Sequence, residues 1–569
     1  MKFNRFFLLI SLTSALYGLP SCSNQEDSLA VTENVESTQG YYLGLRLHLN
    51  DAGATRGTDN GFTEGTDIEK AVKQLVLTFY NANGKYLSCS SIQSEDINSE
   101  LMVVSTNSSQ QPAKVLAWAN VDNAATMLSG LSLKDAIAKT STSGYCNAAG
   151  DFVMTSASYL DNDKIVYGTD IKQVNTVLSK DDVVEAAAVD VYLDRLAVKV
   201  QINKNDKIEV NLPTLNNKGV TFTLKGIALN GTNKSTYYIK NIDNYGFTTE
   251  QWQSAWNDAT KHRSYWSTDP NYLEETSNLD AYQYRTFNEI IKTDALTEYC
   301  VENTSGTKEF NIQNSTHILI VGQYKLKGVK RGTNLYLYNG NLMTAKNYKD
   351  LVHLRHPFYT KSDNKYTDLA DSLYAIVRNG EIGKHAANVK IQLKLDDNTE
   401  VYKYVDGIYT SLKVSEANAE LAEERDGIKY GRGKCYYAAP IQHLGKDGQI
   451  GQYGVVRNHY YQITIQSINS FGEGIWNPGD DIDSDEPGGD DNPGDDNPGD
   501  DNPGDDDPGD DEPEDPNIDP DDPTINPDDD DPDPGEIIVP EQKDPILQYN
   551  VGLKIKIIKW NTISQEVDL

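Results

Sequence analysis

The sequence has few cysteines and no long hydrophobic segment. The five cysteines among its 569 residues are Cys22, Cys89, Cys146, Cys300 and Cys435, and no two form a CxxC pair. A zinc cluster of paired cysteines is therefore not expected. The apolar stretch from Phe6 to Leu16 is shorter than the roughly 20 residues that a membrane-spanning helix needs. Spacing alone leaves the disulfide state of the last four cysteines open.

Familiar catalytic motifs are also absent. The chain contains no HExxH, GxSxG or P-loop pattern. His353 and His356 are the closest histidine pair, and no third ligand stands near them, so we interpret them as structural. We therefore expect no enzyme, no metal site and no cofactor.

Positive charge is missing from one long segment. Residues 480–536 contain 28 Asp or Glu and no Lys or Arg, and removing these 28 from the net charge of −34 leaves −6 for the rest. No basic footprint for nucleic acid is present. The surrounding segment 477–540 is rich in Pro, Gly and Asp, and repeats Gly-Asp-Asp-Asn-Pro from Gly489 to Pro503. This composition predicts a disordered, solvated linker. Clustered Asp could also bind calcium, but the EF-hand order of ligands is missing.

The N-terminal residues have the pattern of an export signal. Lys2 and Arg5 precede the apolar stretch, and Leu19-Pro20-Ser21-Cys22 follows it. Residues 19–22 resemble a bacterial lipobox, which predicts a signal peptide at 1–21 and a lipid on Cys22. The alternative is an ordinary secretory signal with a chance cysteine. Ser23 to Asp27 resembles an acidic tether that directs lipoproteins to the cell surface.

One strand pattern occurs twice, near each end of the chain. In both segments five alternate residues are apolar, which predicts a strand with one buried face. The first set is Tyr41, Leu43, Leu45, Leu47 and Leu49, and the second is Tyr549, Val551, Leu553, Ile555 and Ile557. Gly44 and Gly552 also match, although glycine is disfavoured within strands. The alternation alone could be coincidence, but the shared glycine favours two strands that fit one groove.

The loop after the first copy contains a candidate cleavage site. Asp51 to Gly65 is polar and Gly-rich, and Arg56 precedes Gly57 within it. An exposed arginine in such a loop suits a trypsin-like protease. Cleavage would separate the first strand from its domain and leave an apolar groove with unpaired edges. A strand from another subunit could fill that groove by donor-strand complementation.

The remaining sequence predicts a mainly β protein. Tyr is abundant (34) and Phe scarce (12), and Asn81 to Gly84 marks a hairpin turn. We expect two antiparallel β-sandwiches in series, at 57–187 and 188–476. The last clear strands of the second are Cys435–Ile441 and His459–Ile468. A terminal segment, 541–569, lies beyond the linker and outside both predicted cores.

Several segments together resemble one protein family. The chain is similar to the type V pilins of Bacteroidales, in the major-subunit (fimbrillin) family of the minor fimbrium. The most specific similarities are Val456 to Tyr460 and the terminal segment from Trp560 to Leu569. The other matching segments are the lipobox, the Arg56 loop, 198–200, 436–443, 453–465 and 558–560.

The resemblance implies an all-β fold of two transthyretin-like β-sandwich domains. It implies that residues 22–56 are a propeptide, that an arginine-specific protease cuts at Arg56, and that 541–569 supplies a donor strand that includes Trp560. Partners would be identical subunits in a fibre, accessory tip and anchor pilins, and the outer membrane through the lipid before maturation. The mature protein would form part of an extracellular fimbrium that serves adhesion and biofilm formation.

Two alternatives remain. A monomeric surface lipoprotein could bind glycan through its tyrosines and tryptophans, such as Trp252 and Trp256, although a short buried helix also explains that pair. A fimbrial tip or anchor subunit would share the fold. A tip subunit or a monomer needs no second copy of the strand, so 549–557 favours a shaft subunit.

Overall fold

The computed structural model describes a large part of the chain. The described residues are 40–48, 65–97, 100–161, 164–212, 219–242, 266–272, 279–285, 295–304, 306, 309–379, 387–443, 450–474, 551–559 and 565–568. Several predicted features lie outside them, namely Cys22, Leu49, Arg56, Gly57, Tyr549, Trp560, the Trp252 and Trp256 pair, and the acidic linker. Within the described part, no helix has both the length and the hydrophobicity needed to cross a membrane.

The first unit is a β-sandwich whose described residues form twelve short strands, nine of them in one sheet. They are β1 (Tyr42–His48), β2 (Leu75–Tyr80), β3 (Tyr86–Ile92), β4 (Met102–Ser105), β5 (Lys114–Ala119), β6 (Thr140–Ser141), β7 (Met154–Ser156), β8 (Ser158–Asp161), β9 (Lys164–Tyr167), β10 (Thr169–Asp170), β11 (Thr176–Val177) and β12 (Val189–Arg195). Its α-helices are α1 (Asp67–Lys70), α2 (Ser94–Ile97), α3 (Ala124–Leu128) and α4 (Leu133–Ile137), and its 3₁₀ helices are η1 (Gln173–Asn175) and η2 (Lys180–Glu185).

Strand β12 connects the two layers of this sandwich. Residues 189–192 pair in parallel with β1, and residues 193–195 pair antiparallel with β7. The sheet continues in the order β11-β1-β12-β7-β5-β2-β3, with β4 also on β1 and β10 on β5. Apolar residues of β1, β2, β4, β5 and β12 form one buried cluster between the layers.

The second unit is a larger sandwich with an insertion. Its first strands are β13 (Ala197–Val210), β14 (Val220–Asn230), β15 (Thr232–Asn233), β16 (Thr236–Tyr237), β17 (Tyr282–Gln283), β18 (Ala295–Val301) and β19 (His317–Leu326), with η3 (Leu279–Ala281). The inserted strands are β20 (Leu335–Tyr338), β21 (Asn341–Met343), β22 (Phe358–Ser362), β23 (Lys365–Asp368), β24 (Tyr374–Arg378), β25 (Asn388–Leu393), β26 (Glu400–Val405), β27 (Ile408–Lys413) and β28 (Gly427–Tyr430). The insertion also contains α5 (Ala345–Arg355), η4 (Asp371–Leu373) and α6 (Val414–Ala422), and η5 (Gly431–Gly433) follows it.

The last strands complete the second sandwich. They are β29 (Lys434–Pro440), β30 (His459–Ile468), β31 (Glu473–Gly474), β32 (Val551–Lys559) and β33 (Gln565–Asp568). One layer has the order β18-β13-β30-β32-β33 and the other β14-β19-β29-β31. Their facing apolar residues form most of one buried cluster within the described part of the chain.

The insertion has a hydrophobic core of its own. A five-stranded sheet, β21-β20-β28-β25-β24, and a four-stranded sheet, β23-β22-β26-β27, pack with α5 and α6 around 18 buried residues that include Tyr336, Phe358 and Val401. Thr344 caps the start of α5, and its side chain accepts a hydrogen bond from the Asn347 amide. A single sandwich spanning 188–476 therefore does not describe this region.

The mainly β fold with two sandwiches in tandem is confirmed, with two differences in organisation. The boundary predicted at 188 precedes β12, which pairs within the first sandwich, so the second begins at Ala197. The terminal strand was expected outside both cores, yet β32 pairs antiparallel with β30. The physical reason is that β13 occupies one edge of β30 and leaves the other edge for hydrogen bonding with β32.

A buried ionic network joins the two sandwiches. Arg457 and Lys240, both almost fully buried, contact the Glu302 carboxylate at 3.3 and 3.1 Å. The Arg457 guanidinium also donates to the Tyr237 carbonyl at 2.6 Å, and Tyr237 pairs with Thr140 of the first sandwich. Burial opposes ionisation of Glu302, but the two cations outweigh it and lower its pKa. The Val-Arg-Asn-His-Tyr motif thus contributes to the domain junction.

Candidate functional site

Strand β1 lies inside the first sandwich, with partners on both of its edges. Leu43 and Leu45 pair with Val104 and Met102 of antiparallel β4. Along the other edge, Leu43 pairs with Thr176 of β11, and Leu45 pairs with Val189 of parallel β12. Removing β1 would therefore open hydrogen-bonding edges on both sides of one groove.

The alternating residues of β1 occupy the core as their spacing predicts. Leu43 and Leu45 have no exposed surface, and Leu47 packs against the same cluster while half-buried. Tyr41 is also half-buried. Its amide donates to the Ser108 carbonyl at 3.3 Å and its carbonyl accepts from the Thr106 amide at 2.8 Å. The groove thus holds β1 by apolar burial and by backbone pairing.

The opposite face of β1 carries positive or ionisable groups beside a carboxylate. His48 Nε2 lies 2.8 Å from Asp190 Oδ1, and Arg46 Nη1 lies 3.8 Å from the same oxygen. The His48 ring also stacks on Tyr192 at 4.7 Å. Asp190 therefore faces the side chains at positions 46 and 48 of β1.

The segment after the predicted cleavage loop is firmly attached. Helix α1 begins with a capping box in which Thr66 and Glu69 bond each other's backbone amides. The buried Glu69 carboxylate accepts hydrogen bonds from Lys199 Nζ at 2.8 Å and Tyr299 at 2.5 Å. Burial opposes ionisation of Glu69, but these hydrogen bonds outweigh it and lower its pKa. A cut at Arg56 would leave α1 held by the second sandwich while separating β1 from it.

The predicted donor strand is described within the second sandwich. Leu553 pairs with Ile465, Ile555 with Ile463 and Ile557 with Tyr461 of β30. Strand β33 then pairs with the outer edge of β32. The two similar strands therefore lie apart in this chain, β1 in the first sandwich and β32 in the second.

The predicted histidine pair and three of the cysteines fill structural positions. His353 contacts Asp371 at 2.8 Å and Asp368 at 3.1 Å, whereas His356 contacts Glu424 at 2.7 Å. Among the described residues, no group of three or more His, Cys, Asp or Glu is placed to hold a metal ion. Cys146, Cys300 and Cys435 carry free thiols, and burial raises the pKa of the last two.

One exposed sheet face carries a group of tyrosines that lie close together only in the folded chain. They stand on the outer side of β22, β23, β26 and β27, and they are Tyr359, Tyr366, Tyr402, Tyr404 and Tyr409. Tyr366 and Tyr409 stack with centroids 3.9 Å apart, and Lys361 Nζ lies 5.3 Å from the Tyr366 ring. The inner side of the same sheet carries buried Phe358 and Val401. The spacing of tyrosines between 359 and 409 is the sequence pattern that could have predicted this face.

Comparisons with known proteins give structural but not sequence matches. No protein-family model matches the chain, and a search of curated proteins finds no match. A candidate cell adhesion protein from Parabacteroides distasonis is similar, with 10% identity, a TM-score of 0.36 and coverage of 77% of this chain and 91% of that one. A fimbrilin from Porphyromonas gingivalis has 14% identity, a TM-score of 0.32 and coverage of 76% and 91%. A tip fimbrial protein from the same species has 14% identity, a TM-score of 0.28 and coverage of 75% and 94%.

Proposed function

We propose that this chain is a structural subunit of a cell-surface fimbria that polymerises by donor-strand exchange. It would be exported as a lipoprotein through Cys22, cleaved between Arg56 and Gly57, and assembled into fibres that serve adhesion and biofilm formation. The observation that carries the proposal is the position of β1. This strand lies between β4 on one edge and β11 and β12 on the other, and residues 49–64 link it covalently to α1.

The energetics favour replacement of β1 over an empty groove. Complete burial of a leucine is worth roughly 1.5–3 kcal/mol, and Leu43 and Leu45 are both completely buried. An empty groove would forfeit this burial and leave backbone groups of β4 and β12 unpaired. A second strand with the same alternation would recover both contributions.

The C-terminal copy is the proposed replacement. Aligning Tyr549 with Tyr41 places Val551, Leu553 and Ile555 at the positions of Leu43, Leu45 and Leu47. In the single chain, β32 instead covers the edge of β30. The uncut chain thus fills its groove with β1 and keeps its proposed donor on its own second sandwich. Both features support a monomeric precursor.

The proposed partners follow from this scheme and from the family resemblance. Identical subunits would form the shaft, with accessory pilins at the tip and anchor. An arginine-specific protease would act on the loop around Arg56. The lipid would hold the precursor at the outer membrane before cleavage releases the mature subunit into an extracellular fimbrium.

Electron microscopy before and after arginine-specific cleavage tests the proposal. We expect monomers before cleavage and fibres after it, with fibres absent when residues 545–569 are deleted. Cleaved protein that stays monomeric under all conditions, or fibres formed by the deletion variant, would contradict the proposal.

A second candidate function is glycan binding, and the tyrosine face favours it. Stacked phenol rings offer apolar faces with polar edges, which suits sugars, and Tyr404 is 52% exposed. Binding of the uncut monomer to a glycan array would test this function independently of assembly. The variants Tyr366→Ala and Tyr409→Ala should abolish binding, whereas Thr367→Ala on the same sheet should not.

A further inference from the structure

Gly44 occupies a place in the groove where an added side chain would crowd its neighbours. It is buried, and its side-chain direction is opposite to that of Leu43 and Leu45, since neighbouring residues of a strand face opposite ways. A Cβ atom added to Gly44 would lie 2.9 Å from Leu101 Cδ1 and 3.1 Å from Val183 Cγ1. Even a methyl group would therefore require these neighbours to move, and the buried, β-branched Val183 can move less than the end of the flexible Leu101 side chain.

The two residues over Gly44 come from opposite sides of the groove. Leu101 directly precedes β4, which pairs with one edge of β1. Val183 is 1% exposed and belongs to η2, which follows the β11 strand on the other edge. Together they close the groove on the face away from the core. We call this closure the glycine notch.

The notch gives a physical reason for the glycine shared by the two copies. When Tyr549 is aligned with Tyr41, Gly552 falls at position 44. A slip of two residues would keep the apolar alternation but would place Asn550 or Lys554 at the notch. A slip of one residue would turn every apolar residue to the wrong face. Only one register satisfies both the core and the notch.

The same register also matches charge. Lys554 and Lys556 then take the positions of Arg46 and His48, which lie 3.8 and 2.8 Å from Asp190. Both copies therefore carry basic residues opposite the same carboxylate. Because Asp190 is partly exposed, this pairing contributes less than the notch does.

We infer that the glycine notch, formed by Leu101 and Val183, fixes the register of the incoming strand by accepting only Gly552 at that position. The inference rests on the proposed function, because it assumes that 549–557 enters the groove. It adds a specificity element that distinguishes a correct strand from other amphipathic strands. Overpacking at a closed site is costly, so an added methyl should weaken binding by about tenfold.

A peptide experiment separates the notch from the donor-strand hypothesis. Labelled peptides of residues 547–559, as wild type, Gly552→Ala and Asn550→Ala, are added to the cleaved full-length subunit. Release of the 22–56 fragment and retention of label are measured. Separate peptides avoid any effect of the substitution on the pairing of β32 with β30.

Three results are informative. Binding of the wild-type and Asn550→Ala peptides, with about tenfold weaker binding of Gly552→Ala, supports the inference. The inference gains further support if Leu101→Ala in the acceptor subunit restores binding of the Gly552→Ala peptide. Val183→Ala serves as a second acceptor variant if the first is unstable. Equal binding of all three peptides would contradict the role of the notch but would still agree with the donor-strand hypothesis. No binding of the wild-type peptide overturns the proposed function and the notch with it.

Discussion

The carboxylate of Glu69 lies 2.8 Å from Lys199 Nζ, across the junction between the two sandwiches. Glu69 belongs to α1, which follows the predicted cleavage loop, and Lys199 belongs to β13 of the second sandwich. The backbone carbonyl of Glu69 also accepts a hydrogen bond from buried Arg195 at 2.8 Å. These contacts fix the chain on one side of the predicted cleavage site while β1 lies on the other, so a cut between them would sever the covalent link to β1 and leave the junction in place.

The first prediction concerns that junction. Glu69→Ala should lower the free energy of unfolding by about 3 kcal/mol, since it leaves the largely buried Lys199 ammonium without its carboxylate. Urea denaturation measures the change. Asp67→Ala in the same helix is the control, and it should change stability far less because Asp67 is fully exposed. Equal effects would show that Glu69 does not hold the segment.

Period-two alternation predicted the strands at the candidate site well. His459–Ile468 begins and ends as expected, and the strand expected at 41–49 is described as Tyr42–His48. Both have one face in a core, so burial enforces their sequence pattern. The positions of Leu43 and Leu45 could therefore be read from the sequence before the structure.

Other features depended on contacts distant in sequence. Strand Val189–Arg195 divides its pairing between β1 and β7, which alternation cannot reveal. The core of the insertion draws on residues from 336 to 421, so no local pattern marks it as separate. The role of Gly44 depends on Leu101 and Val183, which lie 57 and 139 positions further along the chain.

The second prediction concerns maturation. Arg56→Ala should leave the precursor uncut and monomeric, because β1 stays covalently attached and fills the groove. The N-terminal sequence of the wild-type mature form should begin at Gly57. Arg46→Ala is a useful control, since Arg46 lies within β1 and should remain protected from the protease. Fibres from Arg56→Ala, or a mature sequence that begins elsewhere, would count against the scheme.

The third prediction concerns the lipid. Cys22→Ala should abolish incorporation of a fatty-acid probe and reduce delivery to the cell surface. Cys146→Ala is the matched control, since its free thiol lies within the first sandwich and should not affect labelling. Unchanged labelling of Cys22→Ala would exclude the lipobox and support an ordinary secretory signal.

The fourth prediction is a pH dependence from His317. This buried ring bonds the Ser315 carbonyl through Nδ1 at 2.7 Å and Asn230 through Nε2 at 3.3 Å, an arrangement that suits the neutral form. Burial lowers the pKa of His317 from 6.5 to about 4. Below pH 6.5 the unfolded chain therefore binds a proton that the folded chain does not, so stability falls with pH until about pH 4.

The size of this effect can be measured. Between about pH 7.5 and pH 5, His317 should reduce the free energy of unfolding by about 2 kcal/mol. His317→Gln should lower stability at neutral pH but remove this part of the pH dependence. Urea denaturation of both proteins at the two pH values checks it. The same pH dependence in the variant would assign the effect to other groups.

The last prediction concerns the donor strand. Changing Leu553 and Ile555 together to Asp should abolish polymerisation of the cleaved subunit. In the proposed register these residues take the places of Leu45, which is completely buried, and Leu47, which packs against the core. Two carboxylates without partners would have to enter that environment, and desolvating each costs several kcal/mol. Lys554→Ser with Lys556→Ser is the control, because those positions would lie near partly exposed Asp190 and should affect assembly far less.

The Asp substitutions also place charge opposite Ile465 and Ile463 on β30, which weakens the pairing of β32 within its own chain. That weakening would free the strand and favour assembly, so a loss of fibres cannot be attributed to stronger self-pairing. Fibre counts by electron microscopy decide the matter, and wild-type numbers of fibres from the double Asp variant would show that 549–557 is not the donor.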